Sequence, residues 1–92
     1  MRILVTPTFE RTVKKLHRQQ KAALDGAVHT IASQPEVGET KVGDLAGVQV
    51  YKFRMGNLLC LLAYRVLDEH TLKLLMVGPH ENFYRDIKRI DP

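Results

Sequence analysis

Residues 58–67 read LLCLLAYRVL, a near-continuous apolar run interrupted by one arginine. A run of this length, bounded by turn signals, fits a central β-strand covered on both faces. Such a strand needs hydrogen-bonded neighbours on each side and a packed layer above and below. Its longest uninterrupted apolar stretch, residues 58–63, is far too short to span a bilayer.

The neighbours stand on either side of it. From Val48 the side chains alternate, with Val48, Val50, Lys52 and Arg54 on one side and Gln49, Tyr51, Phe53 and Met55 on the other. Gly56-Asn57 turns the chain into the apolar run, and Asp68-Glu69-His70 turns it out again. Residues 71–77 form a third β run, which Gly78-Pro79 is expected to break. Three strands joined by short turns pair antiparallel. A further short strand, RILVT over residues 2–6, stops at Pro7.

The covering layer comes from helices. Thr6 suits an N-cap and Pro7 the first helical position, with Phe9, Val13 and Leu16 on one face. A second helix is expected over residues 20–33, with the stripe Leu24, Ala27, Val28 and Ile31, and Pro35 prevents its continuation. A few polar residues around Arg18 to Lys21 join the two into an antiparallel hairpin. Residues 36–47 contain three glycines and little periodicity, so they read as a loop. A short last helix is expected over residues 81–90, with Phe83, Ile87 and Ile90 on one face. The order β-α-α-β-β-β-α predicts one α+β domain over residues 1–92: an N-terminal helical hairpin packed on an antiparallel sheet, with a short C-terminal helix.

Fourteen Lys and Arg face ten Asp and Glu, a net charge of +4, which suits a polyanion or an acidic protein partner. The N-terminus lacks the apolar core of a signal peptide, and the one cysteine, Cys60, sits among apolar neighbours as a small core residue. A reducing cytoplasm fits, without membrane association. The four histidines, His17, His29, His70 and His80, show no metal-ligand spacing, and no phosphate loop, nucleotide fingerprint or serine elbow is present. No metal and no cofactor is expected.

What remains is a basic and aromatic set. Lys52 and Arg54 project from one side of a strand, and His80, Tyr84, Arg85, Lys88 and Arg89 crowd the C-terminal end. Cations hold phosphate, and imidazole or phenol can move protons. Metal-free cleavage of RNA needs one group to deprotonate the 2′-hydroxyl, one to protonate the leaving 5′-oxygen, and cations for the charge gathering on phosphorus. The same residues also fit plainer roles. Lys52 and Arg54 suit the solvated face of a strand, His80 a helix-capping loop position, Tyr84 a packing residue with a wet hydroxyl, and the last cations the helix dipole.

The helical hairpin, followed by DLAGVQVYKFRMGNLLCLLAYRV and LKLLMVGPHENFYRDIKR, resembles the RelE/ParE toxins of type II toxin–antitoxin systems over nearly the whole chain. The resemblance rests on Asp44-Leu45-Ala46-Gly47, Tyr51-Lys52-Phe53-Arg54, Ala63-Tyr64-Arg65-Val66 and Phe83-Tyr84. It implies a cognate antitoxin that wraps and neutralises the toxin in a hetero-oligomer. RelE-like members cut mRNA in the ribosomal A site without metal. Carried over by position, Lys52 and Arg54 match the strand cations, His80 the residue after the last strand and Tyr84 the C-terminal tyrosine. These four are the expected catalytic set, with Lys52, Arg54, Arg65, Arg85, Lys88 and Arg89 as RNA-binding cations. One position departs: the arginine of the middle strand falls at Leu61. Arg65 lies on the same strand face but about 13 Å further on, at about 3.3 Å per residue. ParE-like members share the fold, inhibit DNA gyrase and lack the nuclease set. A translation-inhibiting mRNA endoribonuclease is the expected activity, and a gyrase inhibitor the alternative.

Overall fold

The computed structural model describes residues 1–81 and 83–89. Strands β1 (Arg2–Val5), β2 (Glu39–Thr40), β3 (Gln49–Met55), β4 (Leu58–Asp68) and β5 (Thr71–Pro79) form a sheet in the order β1-β5-β4-β3-β2. Helices α1 (Pro7–Lys14) and α2 (Arg18–Ser33) follow β1, and α3 (Phe83–Ile87) follows β5.

The apolar run becomes β4, at the centre of the sheet. Cys60, Leu61, Leu62, Ala63 and Tyr64 are all buried in succession, so both faces of the strand are covered. On one face Cys60, Leu62 and Tyr64 meet the helical hairpin through Phe9, Leu24, Ala27 and Ile31. On the other, Leu61 and Ala63 join Val48, Val50 and Leu75 beneath Phe83 and Ile87 of α3. Each such fully buried Leu, Ile or Phe contributes about 1.5–3 kcal/mol relative to exposure.

The α1 start is built as its sequence suggests. Thr6 Oγ1 accepts from the Phe9 N–H (3.0 Å) and donates to the Leu75 carbonyl (2.6 Å), which fixes the helix entry to β5. The connection to α2 is shorter than expected. Gln20 turns back to accept from the His17 N–H (3.1 Å), so the helix begins at Arg18 and the polar residues lie inside it.

Four further features depart from expectation. First, the sheet is mixed rather than wholly antiparallel: β1 runs parallel to β5, with Arg2 opposite Thr71 and Val5 opposite Leu74. Second, β5 continues through Gly78 to Pro79. The His80 N–H points to Leu59 on β4, so the nitrogen of Pro79 faces the other way, past the end of β1, where no ladder bond is lost. Third, the supposed loop of residues 36–47 holds β2, which pairs with β3 through Glu39–Val50 and Thr40–Gln49. Fourth, α3 is only Phe83–Ile87; Phe83 and Ile87 are buried as expected, and Ile90 lies outside the described residues. A bulge opposite Ala63 and Tyr64 also shifts the β5 alternation, so that Leu75 and Met76 both pack on the α3 side.

Tyr64 ties the turn after α2 to the central strand. Its hydroxyl donates to the Pro35 carbonyl (2.6 Å) and accepts from the Gly38 N–H (3.0 Å). Burial pushes the phenol's pKa up and keeps it a donor. Gly38 has no alternative here, because a Cβ would come within 2.6 Å of that hydroxyl. Tyr64→Phe leaves two polar backbone groups without their partner, at a cost of about 2 kcal/mol. The thermal midpoint should fall by about 8–16 °C in a domain of this size. An unchanged midpoint in a calorimetric scan would mean that water serves both groups equally well.

Candidate functional site

The face of the sheet beneath α3 carries the basic and aromatic side chains. Alternation from the buried Val48 and Val50 puts Lys52 and Arg54 on this side, away from the hairpin. The β2 register adds two residues that the sequence reading missed. Glu39 lies opposite Val50, and the Lys41 N–H bonds to the Val48 carbonyl, so both side chains share the Lys52 face.

Tyr84 arrives from above, because Phe83 and Ile87 anchor α3 in the underlying cluster. Its ring meets His80 edge-on at 6.1 Å between centroids and Phe83 at 5.6 Å. Lys41 Nζ lies 4.8 Å from the centroid of the Tyr84 ring and 2.6 Å from Glu39 Oε1. The bond to Glu39 is the main reason that the Lys41 ammonium titrates above its ordinary range, with Tyr84 adding to it. In return the Glu39 carboxyl titrates low, held chiefly by Lys41 and further by the charge of Lys52.

His80 follows the end of β5. Its N–H bonds to the Leu59 carbonyl (3.4 Å), and Leu59 pairs with Arg54, so His80 and Arg54 sit in one row, two strand spacings apart. That is about 10 Å between backbones. The Arg54 guanidinium donates to the Asn57 carbonyl at the β3–β4 turn (3.3 Å). Lys52, Arg54, His80 and Tyr84 therefore occupy one side of the sheet, with Lys41 and Glu39 at its β2 edge.

The other expected cations stand apart. Arg65 Nη1 donates to the Ala46 carbonyl (3.2 Å) under Gly47. Gly47 has φ +85°, and a Cβ there would come within 2.5 Å of that nitrogen. The positive φ explains the glycine, and the hydrogen bond turns the Arg65 guanidinium towards the loop. Lys88 Nζ lies 3.8 Å from Asp44 on the same loop. Arg85 and Arg89 are exposed, with Arg85 3.8 Å from Asp86. Leu61 is fully buried and Leu59 is exposed, so the stretch of β4 between Lys52 and His80 presents only apolar side chains. The thiol of Cys60 is buried and its pKa is pushed up by burial. Among the described residues no three metal-ligating side chains cluster, and no helix is long and apolar enough to cross a membrane.

A family model of ParE-like toxins of type II bacterial toxin–antitoxin systems matches residues 3–88. Among solved structures, the RelBE2 toxin–antitoxin complex from Mycobacterium tuberculosis is similar at 30% identity, covering 86% of this chain and 96% of that chain with a TM-score of 0.63. The intact E. coli RelBE complex is 18% identical over 87% of this chain and 96% of that one, with a TM-score of 0.70. The isolated E. coli RelE toxin is 18% identical over 96% of each chain, with a TM-score of 0.67. No curated protein sequence matches.

Proposed function

Because this chain belongs to the ParE-like toxins of type II bacterial toxin–antitoxin systems, we propose that its cationic, imidazole-bearing face is the site of a metal-independent endoribonuclease that cuts mRNA at the ribosome and stops translation. The observation that carries this reading is the common placement of Lys52, Arg54, His80 and Tyr84 on the α3 side of the sheet.

The chemistry needs no external reagent. The 2′-oxygen attacks the adjacent phosphorus, its proton leaves to one of His80 and Tyr84, and the other donates a proton to the departing 5′-oxygen. The products are a 2′,3′-cyclic phosphate and a free 5′-hydroxyl. Lys52 and Arg54 stabilise the charge that collects on the non-bridging oxygens. Arg85 and Arg89, both exposed, extend the positive surface along the RNA, and Lys88 and Arg65 contribute at its far end. A cognate antitoxin with an acidic segment covers the same surface in a cytoplasmic hetero-oligomer, because one electrostatic pattern suits both anions.

One observation favours a second reading. Leu61, where the resemblance to RelE-like toxins implies an arginine, is sealed in the core. A chain without that cation fits a gyrase inhibitor of the ParE kind. Inducing the chain in cells separates the two. The ribonuclease reading expects mRNA cut within translated codons and no trapped gyrase–DNA complexes. Intact mRNA with gyrase–DNA complexes would replace it with the second reading.

A further inference from the structure

We infer that Lys41 is a direct RNA-phosphate contact in this site, placed there by Glu39 and by the ring of Tyr84; the inference rests on the ribonuclease reading above. On this face the central strand offers no charge between β3 and His80, since Leu59, Leu61 and Ala63 occupy it. A cation can reach the ring of Tyr84 from the β2–β3 side, as the ammonium of Lys41 does. The β2 register brings Lys41 into that position, on the same face as Lys52 and Arg54.

Its surroundings differ from those of an ordinary surface lysine. The side chain is only 20% exposed, against 64% for its partner Glu39. The ammonium is bound at 2.6 Å by the carboxylate and lies 4.8 Å from the ring centroid of Tyr84. Its place is therefore set before any ligand arrives, and little side-chain entropy remains to be lost on binding. An ammonium has three N–H donors. Glu39 takes one and the ring face attracts the positive charge, which leaves donor capacity for a phosphate oxygen beside the phenol. The plain alternative is a decorative ion pair, which exposed pairs usually are.

The two are separated by the salt dependence of RNA binding. The probe is a short fluorescein-labelled, fully 2′-O-methylated oligoribonucleotide, which binds but lacks the attacking hydroxyl. Each phosphate contact on a single strand contributes about 0.7 to the slope of log K against log salt. Lys41→Gln should reduce the slope by about 0.7 and weaken binding about fivefold at about 0.1 M salt. Lys41→Arg should keep the slope. Lys15→Gln, which removes an equal charge from the exposed end of α1, should also leave it unchanged. In the wild-type chain the ε-methylene protons of Lys41 should shift on titration and saturate with the same Kd, a readout that needs no variant. A Lys41→Gln slope equal to wild type, or unmoved ε-methylene signals in a chain that binds, overturns the assignment and leaves the ribonuclease reading standing. A wild-type chain that fails to bind the oligonucleotide overturns the assignment, while absence of mRNA cleavage on induction overturns the ribonuclease reading.

Discussion

Tyr84→Phe and His80→Ala are each expected to lower ribosome-dependent mRNA cleavage by about 10²–10⁴-fold, the usual contribution of one positioned proton-transfer group. Neither change should disturb the fold. Phenylalanine keeps the ring that meets Lys41, Phe83 and His80, and removes only the hydroxyl. His80 is exposed, and its ladder bond to Leu59 is made by the backbone. Thermal midpoints should therefore stay near wild type while cleavage collapses. If either variant cuts mRNA at the wild-type rate, that side chain moves no proton. If both do, the proposed centre is wrong even though its residues share a face.

Leu61→Arg is expected to destabilise the chain by about 3–5 kcal/mol, the range typical of an uncompensated buried charge. Leu61 has no exposed surface and packs with Val50, Ala63, Phe83 and Ile87. A guanidinium there has no carboxylate in the cluster to pair with, so it must either stay unpaired or lift α3 from the sheet. Total stabilities are about 5–15 kcal/mol, so the loss is a large share. Leu61→Met keeps the volume and should cost less than about 1.5 kcal/mol. Urea melts distinguish the cases, with a wild-type midpoint for Leu61→Arg contradicting the packing of α3 over the centre. The variant also bears on function: the arginine implied at this position by the resemblance to RelE-like toxins cannot simply be restored without rebuilding the layer above it.

The elements that were legible in the sequence are those set by local chemistry. Thr6-Pro7 opened α1 because its hydroxyl and fixed φ act within one turn. Residues 58–67 announced a doubly covered strand, and alternation placed Lys52 and Arg54 on one side of β3. The features that depend on distant chain were not legible. Nothing near Arg2–Val5 names β5 as its partner, and Pro79 remains in a strand only because β1 ends short of it. Strand β2 is two residues long, too short to show a period, so Glu39 and Lys41 were read as loop. Their alternate spacing, Glu39-Thr40-Lys41, was the one available signal, and it gains meaning only beside β3. The bond from the Arg65 guanidinium to the Ala46 carbonyl joins segments 19 residues apart, which no local pattern announces.

The pairing of the first strand with the fifth also orders events during synthesis. The hairpin leaves the ribosome with Phe9, Leu24, Ala27 and Ile31 uncovered, since the strands that they pack against are translated afterwards. Lys41, Lys52 and Arg54 emerge next, still without the phenol and imidazole that follow Thr71–Pro79. Any chain stopped before Thr71 leaves β1 with a vacant edge and α3 unmade. Prematurely terminated translation therefore yields an unfinished sheet, and the assembled face exists only in molecules whose synthesis has passed every strand.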